Sequence, residues 1–82
     1  MPMNNDERAD HAGNAMAEYL ASKGEPHDQP AEDYEISDLI CDLLHHADRL
    51  GFHHRDILEH ALMHYYAENA DEGVRNAKRP IA

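Results

Sequence analysis

Residues 37–50 read SDLICDLLHHADRL, and their apolar members decide the fold class. Counting Ile36 as well, Leu39, Ile40, Leu43, Leu44, Ala47 and Leu50 recur at i, i+3, i+4 and i+7. At 100° per residue they fill an arc of about 140° on a helix, whereas a strand would need alternation. A helix over about 37–50 is therefore predicted, with Ser37 as N-cap, Ile36 and Cys41 as a hydrophobic staple, and Gly51 just past the end. Opposite the arc, Asp38, Asp42, His45 and Arg49 form a polar ridge flanked by Glu35 and His46.

Working outward, Gly51-Phe52 is too short to be more than a turn, and a second apolar stripe follows it: Ile57, Leu58, Ala61, Leu62, Tyr65 and Tyr66. This predicts a helix over about 54–70, with Asp56 in its first turn where the macrodipole favours an anion. Two apolar stripes joined by a tight turn predict an antiparallel helical hairpin whose apolar faces meet. Upstream, about 6–23 reads as another helix, capped by Asn5 or Asp6 and stopped by Gly24. Its stripe of Ala9, Ala12, Met16, Tyr19 and Leu20 or the Lys23 stem is thin, suited to packing across the hairpin. Residues 24–34 carry Pro26 and Pro30 with no apolar period and read as an acidic linker. Residues 73–82 read as a flexible basic tail. The expected architecture is a single all-α domain over 1–82.

The core so described is small. Of 82 residues, 41% are hydrophobic, but twelve are alanines. Ordering each residue costs about 1.5 kcal/mol, so a lone chain with so few large apolar side chains is marginal. Self-association through Met63, Tyr66 and Leu44 is the expected relief, which makes a homodimer the expected state.

Charge narrows the function classes. The chain holds 17 Asp and Glu against 7 Lys and Arg, a net charge of −10. Between residues 25 and 42, Glu25, Asp28, Glu32, Asp33, Glu35, Asp38 and Asp42 stand with no Lys or Arg among them. Such a surface repels phosphates and anionic lipid and attracts basic surfaces. Direct nucleic-acid contact and membrane contact are therefore not expected, and the three cations Arg75, Lys78 and Arg79 are too few to reverse that. The single Cys41 forms no intramolecular disulfide, and no 18-residue apolar stretch or apolar leader is present, so a cytoplasmic protein is expected.

Specific chemistry is sparse. Asp56, His60 and His64 make an i, i+4, i+8 row, a candidate metal site for zinc or nickel. The stretch HALMH lacks the glutamate that a zinc protease needs after its first histidine. His45, His46, His53 and His54 gather near the hairpin tip, where charging them on acidification would create repulsion. Paired carboxylates such as Asp38 and Asp42 raise a magnesium-dependent all-α nucleotide hydrolase as an alternative, yet no EExxE pattern occurs. Cys41 has no basic neighbour to activate it and the glycines are isolated, so no nucleophile or phosphate loop is read and no cofactor is expected.

The pattern SDLICDLLH with Gly51, Leu58, Ala61, His64-Tyr65 and Glu68 resembles a group of small acidic helical proteins met in proteobacterial, phage and plasmid genomes. In its acidic character that group is similar in type to anti-CRISPR and DNA-mimic inhibitors. The resemblance implies no activity for any single residue. Together with the acidic run, it leads to a non-enzymatic binding protein that meets a basic, nucleic-acid-handling partner through Glu32, Asp33, Glu35, Asp38 and Asp42. A metal- or pH-responsive homodimer using Asp56, His60 and His64 is the competing expectation.

Overall fold

The computed structural model describes residues 3–75, with side chains through Asp71. They form three α-helices and, among the described residues, no strand: α1 (Asn5–Ser22), α2 (Asp33–Arg49) and α3 (His54–Arg75). The all-α architecture expected from the apolar period is thus present. Among the described residues no helix is long and apolar enough to cross a membrane.

Each helix end has a local cause. Helix α1 begins one residue earlier than expected because Asn4, not Asn5 or Asp6, is its cap. Asn4 Oδ1 accepts from the Glu7 N–H at 2.8 Å, and the Asn4 N–H donates back to Glu7 Oε1 at 3.2 Å, satisfying two otherwise orphaned donors. Gly24 and Gly51 end α1 and α2 as expected, with φ of +76° and +84°. In both places the chain closes a Schellman turn. Glu25 N–H donates to Leu20 O and Phe52 N–H to Ala47 O, each at 2.9 Å, while each glycine N–H donates to the carbonyl three residues back.

The start of α2 corrects the expectation. Ser37 lies inside the helix, so neither its N-cap role nor the Ile36–Cys41 staple applies. The chain turns helical at Asp33 because Glu32 is extended and its N–H donates to Glu35 Oε1 at 2.9 Å. The linker shortens accordingly. Helix α3 in turn runs past residue 70 to Arg75, so residues 73–75 of the expected tail are helical. Residues 76–82 of that tail lie outside the described residues. At its start His53 Nδ1 accepts from Arg55 N–H at 3.2 Å, capping a free donor with an imidazole.

Every helix touches the other two. Asn5 Nδ2 donates to Glu68 O at 3.3 Å and to Asn69 Oδ1 at 3.4 Å, and Arg8 pairs with Glu68 at 3.4 Å, so the beginning of α1 lies on the far half of α3. The end of α1 lies on α2, where the Tyr19 hydroxyl donates to Asp42 and Lys23 reaches Asp38 at 4.0 Å. Helix α1 is thus a strut between the other two, as its thin stripe suggested. Among the described residues it contributes two of the three buried apolar side chains, Met16 and Leu20; the third is Ala47.

The hairpin forms as expected from the 140° arc, but its apolar faces close on each other only in part. Leu39, Leu44 and Leu58 are half-buried, but Ile36, Ile40 (46%), Leu43 (53%) and Leu50 are exposed on α2, and Ile57, Leu62 and Tyr65 on α3. The half-buried α2 residues lie at the two edges of the arc and the exposed ones in its middle. Ala47 is buried within that same middle, so the centre of the stripe is covered there and left open at Ile36, Ile40, Leu43 and Leu50. The radius of gyration, 14.7 Å, exceeds the roughly 12 Å of a compact chain of this length.

Candidate functional site

The acidic run that drew attention in the sequence is divided by the fold into groups held within the chain and groups left outward. Glu35 belongs to the first. It is only 6% exposed, the one buried charged residue among those described, and both its oxygens face His27 Nε2, at 3.0 and 2.9 Å. The Glu32 N–H and then the His27 imidazole hold its carboxyl below the usual carboxylate range. The same contact raises His27 above the ordinary histidine value. Glu35 was expected to meet a partner; buried in this clasp, it is removed from that set. The linker residue His27 was not singled out by sequence reading, because eight positions of proline-containing chain separate it from Glu35.

Asp38 and Asp42 are exposed but engaged by α1. Lys23 lies 4.0 Å from Asp38 and 3.5 Å from Glu25, so one cation serves two carboxylates. The Tyr19 hydroxyl donates to Asp42, and this bond is the chief reason Tyr19 holds its proton above the usual tyrosine value. Lys23 stands over the Tyr19 ring, 4.8 Å from its centroid, and its ammonium is held in the charged form chiefly by the tyrosine oxygen. Glu32 and Asp33 are exposed at the start of α2; among the described residues Asp33 Oδ1 accepts from the neighbouring Tyr34 N–H, at 2.7 Å. These two are the freest members of the expected contact set.

Asp38 and Asp42 therefore line no concave, dry chamber of the kind that magnesium-dependent hydrolysis uses. The arrangement suits long-range attraction of a basic surface, because solvated carboxylates act at a distance even where each contact is weak.

The expected metal row assembles only in part. His60 Nε2 and His64 Nε2 lie 3.2 Å apart, their rings edge to face, and Asp56 does not converge with both within ligand reach. Asp56 and His60 instead line a shallow, open depression with Phe52, His53 and Ile57. A different trio comes together on α2: the Cys41 thiol, the Asp42 carboxylate and a His45 nitrogen all lie within 4.8 Å of one another on the exposed face. Thiolate, imidazole and carboxylate are a donor set for a borderline-soft divalent ion. The i, i+1, i+4 spacing could have revealed it. At the hairpin tip, His46 Nδ1 lies 3.1 Å from an Arg49 guanidinium nitrogen and the rings of His53 and His54 stack at 4.9 Å. Of the four tip histidines, His53 and His54 thus meet each other, while His46 meets Arg49 and His45 lies with Cys41 and Asp42.

Set against known protein families, curated proteins and solved structures, the chain matches none.

Proposed function

We propose that the chain is a cytoplasmic, non-enzymatic acidic binding protein that engages a basic surface on a nucleic-acid-handling partner, in the manner of an anti-CRISPR or DNA-mimic inhibitor. The observation that carries this reading is the outward placement of Glu32, Asp33, Asp38 and Asp42 along the first two and a half turns of α2. No Lys or Arg interrupts that stretch. Its carboxylates present negative charge where a partner's Lys and Arg would otherwise meet phosphate. Glu32 and Asp33 lead the contact, because Asp38 and Asp42 already share their charge with Lys23 and Tyr19.

The test is capture from a native lysate with the wild-type chain and with a Glu32→Lys/Asp33→Lys variant, followed by mass spectrometry. Capture of a nucleic-acid-binding protein by the wild type, eluted by salt or by DNA and lost in the variant, supports the reading. Capture that survives the double charge reversal contradicts it.

A further inference from the structure

We infer that Cys41, Asp42 and His45 bind one zinc ion on the exposed face of α2, with a fourth coordination place open to solvent.

Three donors of different chemistry meet there within little more than one turn of helix. The Cys41 thiol, a carboxylate oxygen of Asp42 and a ring nitrogen of His45 lie within 4.8 Å of one another. Cys41 and His45 stand four residues apart, a rise of about 6 Å, and at 100° per residue His45 falls between Cys41 and Asp42 around the axis. The three form a triangle. Asp56, His60 and His64, by contrast, climb about 12 Å of helix, and only the two imidazoles meet. Zinc held at about 2.3 Å from sulfur and about 2.0–2.2 Å from nitrogen and oxygen sets tetrahedral donors roughly 3.3–3.8 Å apart. All three side chains are exposed, so rotation about their own χ angles closes the remaining distance of about 1 Å without disturbing the core.

Two further observations bear on the trio. A free cysteine is ordinarily among the most buried of side chains, yet Cys41 is exposed, with an imidazole and a carboxylate for neighbours. The second is the Tyr19 hydroxyl, which reaches across from α1 and donates to Asp42 Oδ2. An outer hydrogen bond of this kind fixes the orientation of a ligand carboxylate and leaves its other oxygen for the ion.

Charge and softness select the ion. Bound as thiolate, carboxylate and neutral imidazole, with the thiol proton released to solvent, the trio sets two negative charges against the two positive charges of the metal. A chain of net charge −10 draws cations to it. Sulfur and imidazole donors favour zinc over magnesium and calcium, which take oxygen. Glu32 and Asp33 lie outside the trio, so the site stands whether or not the partner reading holds.

Cobalt(II) is the optical probe, because zinc is spectroscopically silent. Titrated into the reduced full chain, it is expected to bind once per chain with a near-ultraviolet sulfur-to-cobalt charge-transfer band that zinc bleaches. Cys41→Ser should abolish the band, and Asp42→Asn and His45→Ala should each weaken binding about tenfold or more, with helix content unchanged by circular dichroism. His60→Ala should leave it intact. A readout that needs no variant is alkylation of Cys41 in the wild-type chain, which zinc should slow. The inference is overturned by the absence of a charge-transfer band at about tenfold excess cobalt, or by alkylation indifferent to zinc. It is equally overturned by a band that both Asp42→Asn and His45→Ala leave unchanged, by half a cobalt per chain, or by binding lost in His60→Ala and kept in Cys41→Ser.

Discussion

His27 Nε2 lies within 3.0 Å of both carboxylate oxygens of Glu35, and this clasp ties the proline-containing linker to the first turn of α2. One of those oxygens also receives the Glu32 N–H, so the residue that starts the helix is the residue that anchors the linker.

The clasp has a pH window whose limits follow from the two shifts. His27 is raised above 6.5, so its contribution to stability is complete below that value and fades as pH rises through its folded pKa. Glu35 is lowered below 4.5, so its contribution is complete above that value and fades as pH falls through its folded pKa. The melting temperature should therefore gain most from the pair between about 4.5 and 6.5. His27→Gln should lower it by a few degrees there and leave it nearly unchanged at pH 9. A loss of equal size at both pH values would show that the charged contact is not the cause.

Gly51 is held at φ +84° with open space around the position of a Cβ, so the cost of a side chain is purely conformational. Gly51→Ala should remove about 1–2 kcal/mol, and a lowering of about 4–8 °C per kcal/mol is expected for a domain of this size. Gly24→Ala, at φ +76° with equally open surroundings, should cost a similar amount. Thermal melts of the two variants check this, and unchanged transitions would mean that the Schellman turns do not persist in solution.

Tyr19 holds its proton above the ordinary value of 10.0 chiefly through Asp42. Ultraviolet titration should show a tyrosine that ionises above the ordinary value, and Asp42→Asn should lower it. A titration curve that Asp42→Asn leaves unchanged would mean that α1 does not rest on α2 in this way.

Partner binding, if carried by Glu32 and Asp33, should weaken steeply with salt through a faster loss of encounter, since exposed charges act across a Debye length of about 10 Å at 0.1 M. Charge reversal at Asp38 or Asp42 is the poorer probe because it also breaks the seat of α1 on α2. Association rates measured between 0.05 and 0.3 M salt should fall about tenfold or more; a flat profile would point to an apolar contact.

Helix number and helix stops were legible in the sequence because Gly24 and Gly51 are locally decisive: only glycine takes a positive φ at little cost. Helix starts were less so. Ser37 is a better N-cap by residue type than Glu32, but a helix already nucleated at Asp33 propagates through it, and that nucleus depends on Glu35, which His27 clasps from the linker. The same contact took Glu35 out of the expected binding set. Periodicity correctly gathered Ile36, Ile40, Leu43 and Leu50 on one side of α2, but periodicity names a face and not what covers it. The chain's own α3 leaves that face exposed. Asp56, His60 and His64 share a helix flank by spacing, yet only the histidines meet, because three residues spread over more than two turns cannot all reach one point.

The most direct test of a core completed between chains is the dependence of melting temperature on protein concentration. Mass action requires the transition to rise with concentration when folding and association are one step, and we predict a clear increase over a hundredfold range, from low micromolar upward. A cooperative transition at one temperature across that range would mean that the chain's own packing around Met16, Leu20 and Ala47 suffices, and would contradict the account.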